Sequence, residues 1–365
     1  METQKIKPSA RPDNKPLPTD GSEISVRLAT ESDSLAWDTY LSESEFSTIA
    51  HRWGWSKVLA SSFGVKPFYI ITEQNGVIVG ILPTALMKSI LFGKFLISLP
   101  WLDYGGPIAN DHGIVRRLVD SAIMTANEND CSFLEMRAVR HRLSDLTEKA
   151  NKVEFRLDLR CGEESLWKSF DSNVRNQVRK AEKNGLSVKF GAKELLDSFY
   201  AVFSLNMRDL GTPVWPKKLF AEIFRNFPNE TEIAIVSHQN KCIAAALLLH
   251  YRNYSIVPSA SADRRFLKFC PNNILYWEII KHCLSRGSIV FDFGRSSEGA
   301  GTYHFKKQWV KNPQGQIWQY KLLKRNSLPE LNPSNPKYKL AINIWRKLPL
   351  PLANFLGPKI VTKLP

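Results

Sequence analysis

The chain has 365 residues, of which 43% are hydrophobic and 11% aromatic, so it can bury sizeable cores and is not wholly disordered. Its 50 Lys and Arg outnumber 35 Asp and Glu, and residues 301–365 contain 12 of the basic residues against one Glu. Five cysteines without a C-x-x-C pair argue against a zinc knuckle and against a closed disulfide framework.

The first 22 residues contain prolines at positions 8, 12, 16 and 18 among mostly polar residues. This composition predicts a flexible tail over residues 1–22. The pattern of a signal peptide is absent, and no apolar run reaches the roughly 18 uncharged residues of a membrane span. We therefore expect a cytoplasmic protein whose membrane contact would be peripheral, on the inner face of the cytoplasmic membrane.

An internal repeat organises the middle of the chain. Residues 70–80 can be laid over residues 235–245 without a gap, and each segment reads as a β-hairpin: an apolar run, a polar turn and a second apolar run. Helical segments precede both hairpins, and a long helix and a further strand follow both. A chance match is the alternative. The repeat favours two mixed α/β domains over residues 23–165 and 166–328.

The segment over residues 99–107 places consecutive glycines beside aromatic residues and Asp103. Such a turn allows close approach of a backbone, and it could bind a peptide or a sugar through Asp103 and Tyr104. The alternative is a turn that merely ends a strand.

A basic helix is predicted over residues 172–184, with Arg175 and Arg179 on one face and Asn184-Gly185 as its C-terminal cap. This face could bind a pyrophosphate or an RNA backbone. A solvated helix face explains the same pattern.

A glycine-rich loop follows the apolar strand that ends near Phe293. It runs through Arg295 and Ser296 to an aromatic and basic cluster that includes Lys306 and Lys307. Backbone amides of such a loop can approach a ligand, and the lysines can neutralise a phosphate, a carboxylate or a developing oxyanion. A surface loop with solvated lysines is the alternative.

Several other chemistries lack their motifs. There is no G-x-x-x-x-G-K-[ST] phosphate loop, no dinucleotide fingerprint and no G-x-S-x-G elbow, and the seven histidines lack metal-ligand spacing. We expect no metal and no bound cofactor.

The C-terminal segment, residues 329–365, is basic and broken by prolines. Residues 337–348 have an apolar stripe at helical spacing beside lysines and an arginine. This pattern predicts a helix that lies in the interface of an anionic membrane. Packing of the stripe on the second domain is the alternative.

The chain resembles the FemAB-related branch of the GNAT N-acyltransferase superfamily, in particular the subgroup associated with exosortase and PEP-CTERM exopolysaccharide systems. The resemblance covers the chain from about residue 24 onward. It rests on residues 172–185, 292–296, 301–309 and 335–341, with Trp55 and residues 99–107 in support. The most diagnostic segment is Phe305-Lys306-Lys307, although the family's F-K-K-G-F continues here as Gln308-Trp309, and the coiled-coil insertion of some relatives is absent.

The resemblance implies an α/β fold of two tandem GNAT-like domains, each a mixed, largely antiparallel sheet flanked by helices. It implies transfer of an acyl or aminoacyl group to an amine of an envelope glycan or peptidoglycan-type precursor, including lipid-linked ones. Lys306 would stabilise the oxyanion, and Asp292 or Tyr303 would handle the proton. Arg175, Arg179, Arg295, Ser296, Lys307, Asp103 and Tyr104 would bind substrate.

The donor remains open between acyl-CoA and aminoacyl-tRNA, because the acyl-CoA signature [QR]-x-x-G-x-[GA] is one residue too long over residues 295–301. The alternative function is a non-catalytic GNAT pair that binds a glycan carrier or RNA as an envelope-assembly factor.

Overall fold

A computed structural model describes residues 23–89, 93–328 and 336–362. The N-terminal tail predicted over residues 1–22 lies outside the described residues. The first half contains strands β1 (Ile24–Leu28), β2 (Lys66–Gln74), β3 (Val77–Ser89), β4 (Gly93–Ile97), β5 (Ile108–Ala109), β6 (Phe133–Met136) and β7 (Thr147–Asp158), and helices α1 (Ser34–Glu43), α2 (Gly54–Phe63) and α3 (His112–Glu128).

The second half and the C-terminal segment continue the same α/β pattern. Their elements are α4 (Gly162–Ser169), α5 (Ser172–Lys183), β8 (Ser187–Gly191), α6 (Leu196–Leu210), α7 (Lys217–Asn226), β9 (Thr231–His238), β10 (Lys241–Tyr251), β11 (Tyr254–Ala262), α8 (Pro271–Ser285), β12 (Val290–Ser297), α9 (Gly301–Lys307), β13 (Gln314–Leu322), α10 (Pro336–Arg346) and α11 (Leu350–Val361).

The strands form one sheet in the order β1-β2-β3-β4-β6-β13-β7-β12-β11-β10-β9-β8, with β5 paired to β3. Most neighbours are antiparallel, but β4 pairs with β6 in parallel across α3, and β11 pairs with β12 in parallel across α8. Parallel neighbours need such a crossover helix. The two halves therefore repeat one arrangement, as the sequence predicts.

The hairpins of the repeat are the pairs β2–β3 and β9–β10. The structure refines their alignment, because the two-residue turn Asn75–Gly76 corresponds to Gln239–Asn240. The ungapped sequence match is therefore displaced by one residue. In a strand such a slip exchanges the two faces. Each hairpin also has a β-bulge at the equivalent place in its second strand, at Val79 and at Ile243.

The two halves exchange their last strands. Strand β7 leaves the first half and pairs with β12, while β13 leaves the second half and pairs with β6, so β7 and β13 lie side by side at the centre of the sheet. The halves also share a core on one face, where α2 packs on α7 and the ring of Trp55 lies 5.2 Å from that of Phe227. Residues from both halves can therefore meet in one site.

Candidate active site

The site forms where β11 and β12 separate. Their parallel pairing covers only Tyr254–Ile256 and Val290–Asp292, after which β12 continues beside β7. A bulge in β12 lies between Asp292 and Arg295, and it contains Gly294 in the left-handed region at φ +73°. Bulges redirect the backbone next to functional sites. Here the bulge turns two carbonyl groups toward α9.

Lys306 of α9 occupies this opening. Its Nζ donates to the carbonyl oxygens of Gly294 and Arg295, both at 3.0 Å. The side chain is buried, and burial lowers the pKa of Lys306 to about 8, while Asp103 and Asp292 act in the opposite direction. An ammonium group carries three N–H donors, so one remains for a ligand.

A cavity of about 380 Å³ opens beside Lys306, and Val257, Pro258 and Gly294 from the two separated strands line it. Two further lining residues, Arg295 and Trp101, each have a buried nitrogen, Nη1 and Nε1, with no hydrogen-bond partner among the described residues. Buried donors are nearly always satisfied by protein, water or ligand. This cavity can therefore hold a polar ligand group next to an ammonium.

The first half contributes the loop after β4. Asp103 Oδ1 lies 2.7 Å from Arg295 Nε, and Asp103 Oδ2 accepts from the Arg295 backbone N–H at 3.2 Å. The Asp103 backbone carbonyl accepts from Gln316 Nε2 at 3.0 Å. Burial lowers the pKa of Arg295, and the Asp103 carboxylate opposes that shift. The ion pair thus fixes the loop of the first half against the bulge of the second.

Asp292 is fully buried behind this loop. Its Oδ2 accepts from the hydroxyls of Tyr104 and Tyr254, and its Oδ1 accepts from the Gly294 N–H at 2.7 Å. Burial raises the pKa of Asp292, while the two hydroxyls oppose the shift. The carboxyl group holds both tyrosines in the wall of the cavity.

Strand β7 adds two charged residues to this network. Glu154 Oε2 accepts from Arg156 Nη2 at 3.1 Å and lies 2.9 Å from Tyr104 Oη, whose single proton it shares with Asp292. Burial raises the pKa of Glu154, and Arg156 opposes the shift. A second cavity of about 610 Å³ begins at this point, and Thr48, Tyr104 and Tyr254 line both cavities.

Comparisons with known proteins agree with this architecture. A family model described as "Acetyltransferase (GNAT) domain" matches residues 168–307, which include Lys306. The solved structure of FemX has a TM-score of 0.62 at 13% identity, covering 87% of this chain and 100% of that chain. No match was found among curated proteins.

Two further solved structures are similar. A tandem GNAT protein from the clavulanic acid biosynthesis pathway has a TM-score of 0.52 at 11% identity, covering 84% of this chain and 100% of that one. The other is the C-terminal domain of a protein from Agrobacterium fabrum that is described as a lysylphosphatidylglycerol synthetase. It has a TM-score of 0.55 at 10% identity, covering 81% of this chain and 92% of that chain. The chain has a tandem GNAT-like fold.

The GNAT-like fold brings together five of the residues predicted from the sequence. Lys306, Arg295, Asp103 and Tyr104 line the smaller cavity, and Asp292 lies directly behind it. Two glycine-rich segments that are almost 200 residues apart in the chain thus form one site.

The other predicted residues lie elsewhere. The Tyr303 ring packs on Phe155 at 5.5 Å, and Lys307 is exposed above the Tyr303 ring. The buried Ser296 donates to Thr302 at 3.2 Å. None of these lines either of the two cavities.

The basic helix α5 also stays apart from both cavities. Arg175 Nη1 donates to the Lys168 carbonyl at 3.4 Å, and the exposed Arg179 lies over the ring of Trp167. Its basic face is open to solvent, as in the alternative that the sequence left open.

Sequence reasoning missed Tyr254, Glu154 and Arg156. A signal existed for the last two, because Glu154 and Arg156 alternate with the apolar Val153, Phe155 and Leu157. This period of two predicts a strand with charged residues on one face. Tyr254 gave no such signal.

Within the described ranges, no group of three or more His, Cys, Asp or Glu side chains is arranged to hold a metal ion. In the same ranges, no helix is long and apolar enough to cross a membrane.

Proposed function

We propose that the protein is an N-acyltransferase in which the Lys306 ammonium stabilises the oxyanion formed at the donor carbonyl. One observation carries the proposal: Lys306 is buried at the floor of a cavity, with two N–H groups on backbone carbonyls and a third available. A preorganised cation in a dry site stabilises a developing negative charge far better than one in water.

The reaction balances without a metal or a redox step. The acceptor amine attacks the donor carbonyl carbon, and the carbonyl oxygen becomes the oxyanion opposite Lys306. The C–N bond forms, the bond from carbon to the donor sulfur or oxygen breaks, and one amine proton passes to the leaving group. Asp292 is a candidate to relay that proton. Because Asp292 itself lines neither cavity, the relay would pass through the hydroxyls of Tyr104 and Tyr254, which do. Tyr303 remains a second candidate.

The donor would enter between β11 and β12. Proteins with GNAT domains generally use acyl-CoA, and the Arg295 and Trp101 nitrogens without partners could bind its polar groups. The resemblance of the sequence to the FemAB-related branch keeps aminoacyl-tRNA open as the donor. The half-buried Arg175 and the exposed Arg179 and Lys307 would then bind parts of a large substrate that extend beyond the cavities.

The acceptor would be the amine of an envelope glycan or peptidoglycan-type precursor, in an exosortase-linked exopolysaccharide system. Both donor classes occur in the cytoplasm. A lipid-linked acceptor would require contact with the inner face of the membrane, for which the basic C-terminal segment is suited.

Donor-dependent thermal shifts test the enzyme proposal. We expect acyl-CoA, an acyl carrier protein or charged tRNA to raise the melting temperature, since a ligand at about 100 times its dissociation constant stabilises by about 2.7 kcal/mol. The Arg295→Gln variant should lose most of this shift. The exposed Arg264→Gln control should retain it. Absence of any donor response, together with tight and salt-sensitive binding to RNA or anionic lipid, would favour the non-catalytic assembly factor.

A further inference from the structure

The larger cavity, of about 610 Å³, lies on the other side of the Tyr104 and Tyr254 pair from Lys306. Both halves of the chain line it, through Arg140 and His141 from the first, Arg156 from β7 and Arg252 from the second. Its size suits a substrate rather than a single water.

Some of the arginines that line this cavity have no carboxylate partner. Of the two carboxylates in the lining, Glu154 already accepts from Arg156 and shares the Tyr104 proton with Asp292, and Glu45 is exposed near Arg140. Arg140 forms no hydrogen bond or ion pair with any described residue; its guanidinium lies over the Phe46 ring. Guanidinium forks without a carboxylate are the usual means of binding phosphate or carboxylate groups.

Arg252 occupies an uncommon backbone position. It is the first residue of the two-residue turn between β10 and β11, and it has φ +56°. Asn and Gly favour such positions, and a larger residue costs about 1 kcal/mol there. One nitrogen, Nη1, donates across the cleft to the Ser44 carbonyl at 3.0 Å. The turn thus holds an arginine at the cavity mouth although its backbone favours smaller residues.

Two further polar atoms in the lining have no partner among the described residues. They are Nε2 of His141 and the hydroxyl of Tyr251, and both are buried. Burial and the neighbouring His112 and Arg140 lower the pKa of His141. The Tyr251 hydroxyl can donate, and a free donor beside Arg140 and Arg252, neither of which pairs with a described carboxylate, matches an oxygen-rich anion.

We propose that this cavity binds an acidic group of the acceptor, a phosphate or a carboxylate, through Arg140, Arg252 and Arg156. The inference rests on the proposed function, because the shared Tyr104 and Tyr254 wall would then direct the acceptor amine toward the Lys306 cavity. The site for the acidic group is thus the cleft between the halves rather than the basic face of α5.

Direct binding of small anions tests this site without any donor. Thermal shifts over a concentration series of inorganic pyrophosphate, glucuronate and neutral N-acetylglucosamine would be recorded at constant ionic strength. We expect at least one anion, and not the neutral sugar, to stabilise the protein. Arg140→Gln/Arg252→Gln should bind that anion about tenfold or more weakly, because each lost contact is charge-assisted. Arg117→Gln, an exposed arginine of α3, is the matched control.

The outcomes separate the two proposals. Stabilisation by pyrophosphate alone indicates a phosphate-bearing acceptor, and stabilisation by glucuronate alone indicates a carboxylate. Equal binding by the double variant and the wild type would overturn the anion site, as would the absence of any anion effect. Arg140→Gln alone, which breaks no internal hydrogen bond, decides the case if the double variant folds poorly. Lys306→Met should bind the anion normally, so loss of transfer there leaves this inference intact.

Discussion

Lys306 is the residue whose environment determines the chemistry. Burial disfavours its charged form and lowers its pKa to about 8, while the carbonyls of Gly294 and Arg295 direct its protons. A lysine with such a pKa could act as an electrophilic ammonium or, once deprotonated, as a base. The pH dependence of the reaction distinguishes the two roles.

We predict that activity falls as the pH rises through about 8. Because the folded-state pKa of Lys306 is lowered to about 8, the ammonium predominates below that pH and is lost above it. The measurement is the pH profile of kcat/KM with a saturating donor. In Lys306→Arg, which keeps its charge over this range, any residual activity should lack the descending limb.

A rate that continues to rise above pH 9 in the wild-type protein would contradict the ammonium role and favour a neutral lysine acting as a base. Lys218→Arg is the control, since Lys218 is exposed in α7 and lines neither cavity. Its profile should match that of the wild type.

At the residue scale, the sequence could predict the groups that stand in glycine-rich segments. Lys306, Asp292, Asp103 and Tyr104 stand out there because a tight turn beside charged and aromatic side chains is unusual. It could not predict Tyr254, because the partner of its hydroxyl, Asp292, is brought close only by the pairing of β11 with β12.

Helices α10 and α11, which follow each other closely in the chain and are here called the C-terminal hairpin, both pack on α6 of the second half. Ala353, Gly357 and Val361 form a buried stripe with helical spacing, and a Cβ on Gly357 would approach Val214 N to 2.7 Å. Val361 also lines the Lys306 cavity. The hairpin therefore packs on the domain and stands beside the site.

The outer side of the hairpin remains apolar and basic. Leu340 and Phe355 are both 62% exposed, and Ile344 is also exposed. Residues 336–362 contain five Lys and Arg and no Asp or Glu. An exposed apolar surface with only positive charges is typical of contact with an anionic membrane. The inner side of the hairpin packs on the domain, and membrane contact of its outer side stays a prediction.

We predict that the protein sediments with liposomes that contain phosphatidylglycerol and much less with phosphatidylcholine alone, and that salt weakens the binding. Ile344→Glu/Phe355→Glu should reduce the partition coefficient about tenfold or more, because a charge replaces inserted apolar surface. Leu35→Glu, at a residue of α1 that is 79% exposed, is the matched control. Equal sedimentation of the double variant and the wild type would remove the membrane interpretation.

At the scale of the whole molecule, the exchange of β7 and β13 makes the two halves interdependent. Each half uses the other's last strand to complete its sheet, and the aromatic core around Trp55 and Phe227 joins them again. Pairing between distant strands depends on tertiary packing, so the sequence could predict two repeated units but not their exchanged strands.

We predict that residues 23–160 and 161–365 do not fold when expressed separately and that they associate when expressed together. The β7 strand of the first fragment lacks both neighbours when alone, and an unpaired strand edge promotes aggregation. Size-exclusion chromatography and denaturant unfolding check this, with the intact chain as control. A cooperative unfolding transition of either fragment alone would contradict the interdependence.

Mass spectrometry of the envelope glycan precursors tests the central claim most directly. Cells that carry the wild-type protein or the control Lys218→Met, at an exposed lysine of α7, should contain a precursor heavier by one acyl or aminoacyl group on an amine. Cells without the protein, or with Lys306→Met, should lack that mass, since loss of an oxyanion stabiliser typically costs about 100-fold or more in rate. An unchanged mass increment in the Lys306→Met cells would contradict the proposed role of this lysine.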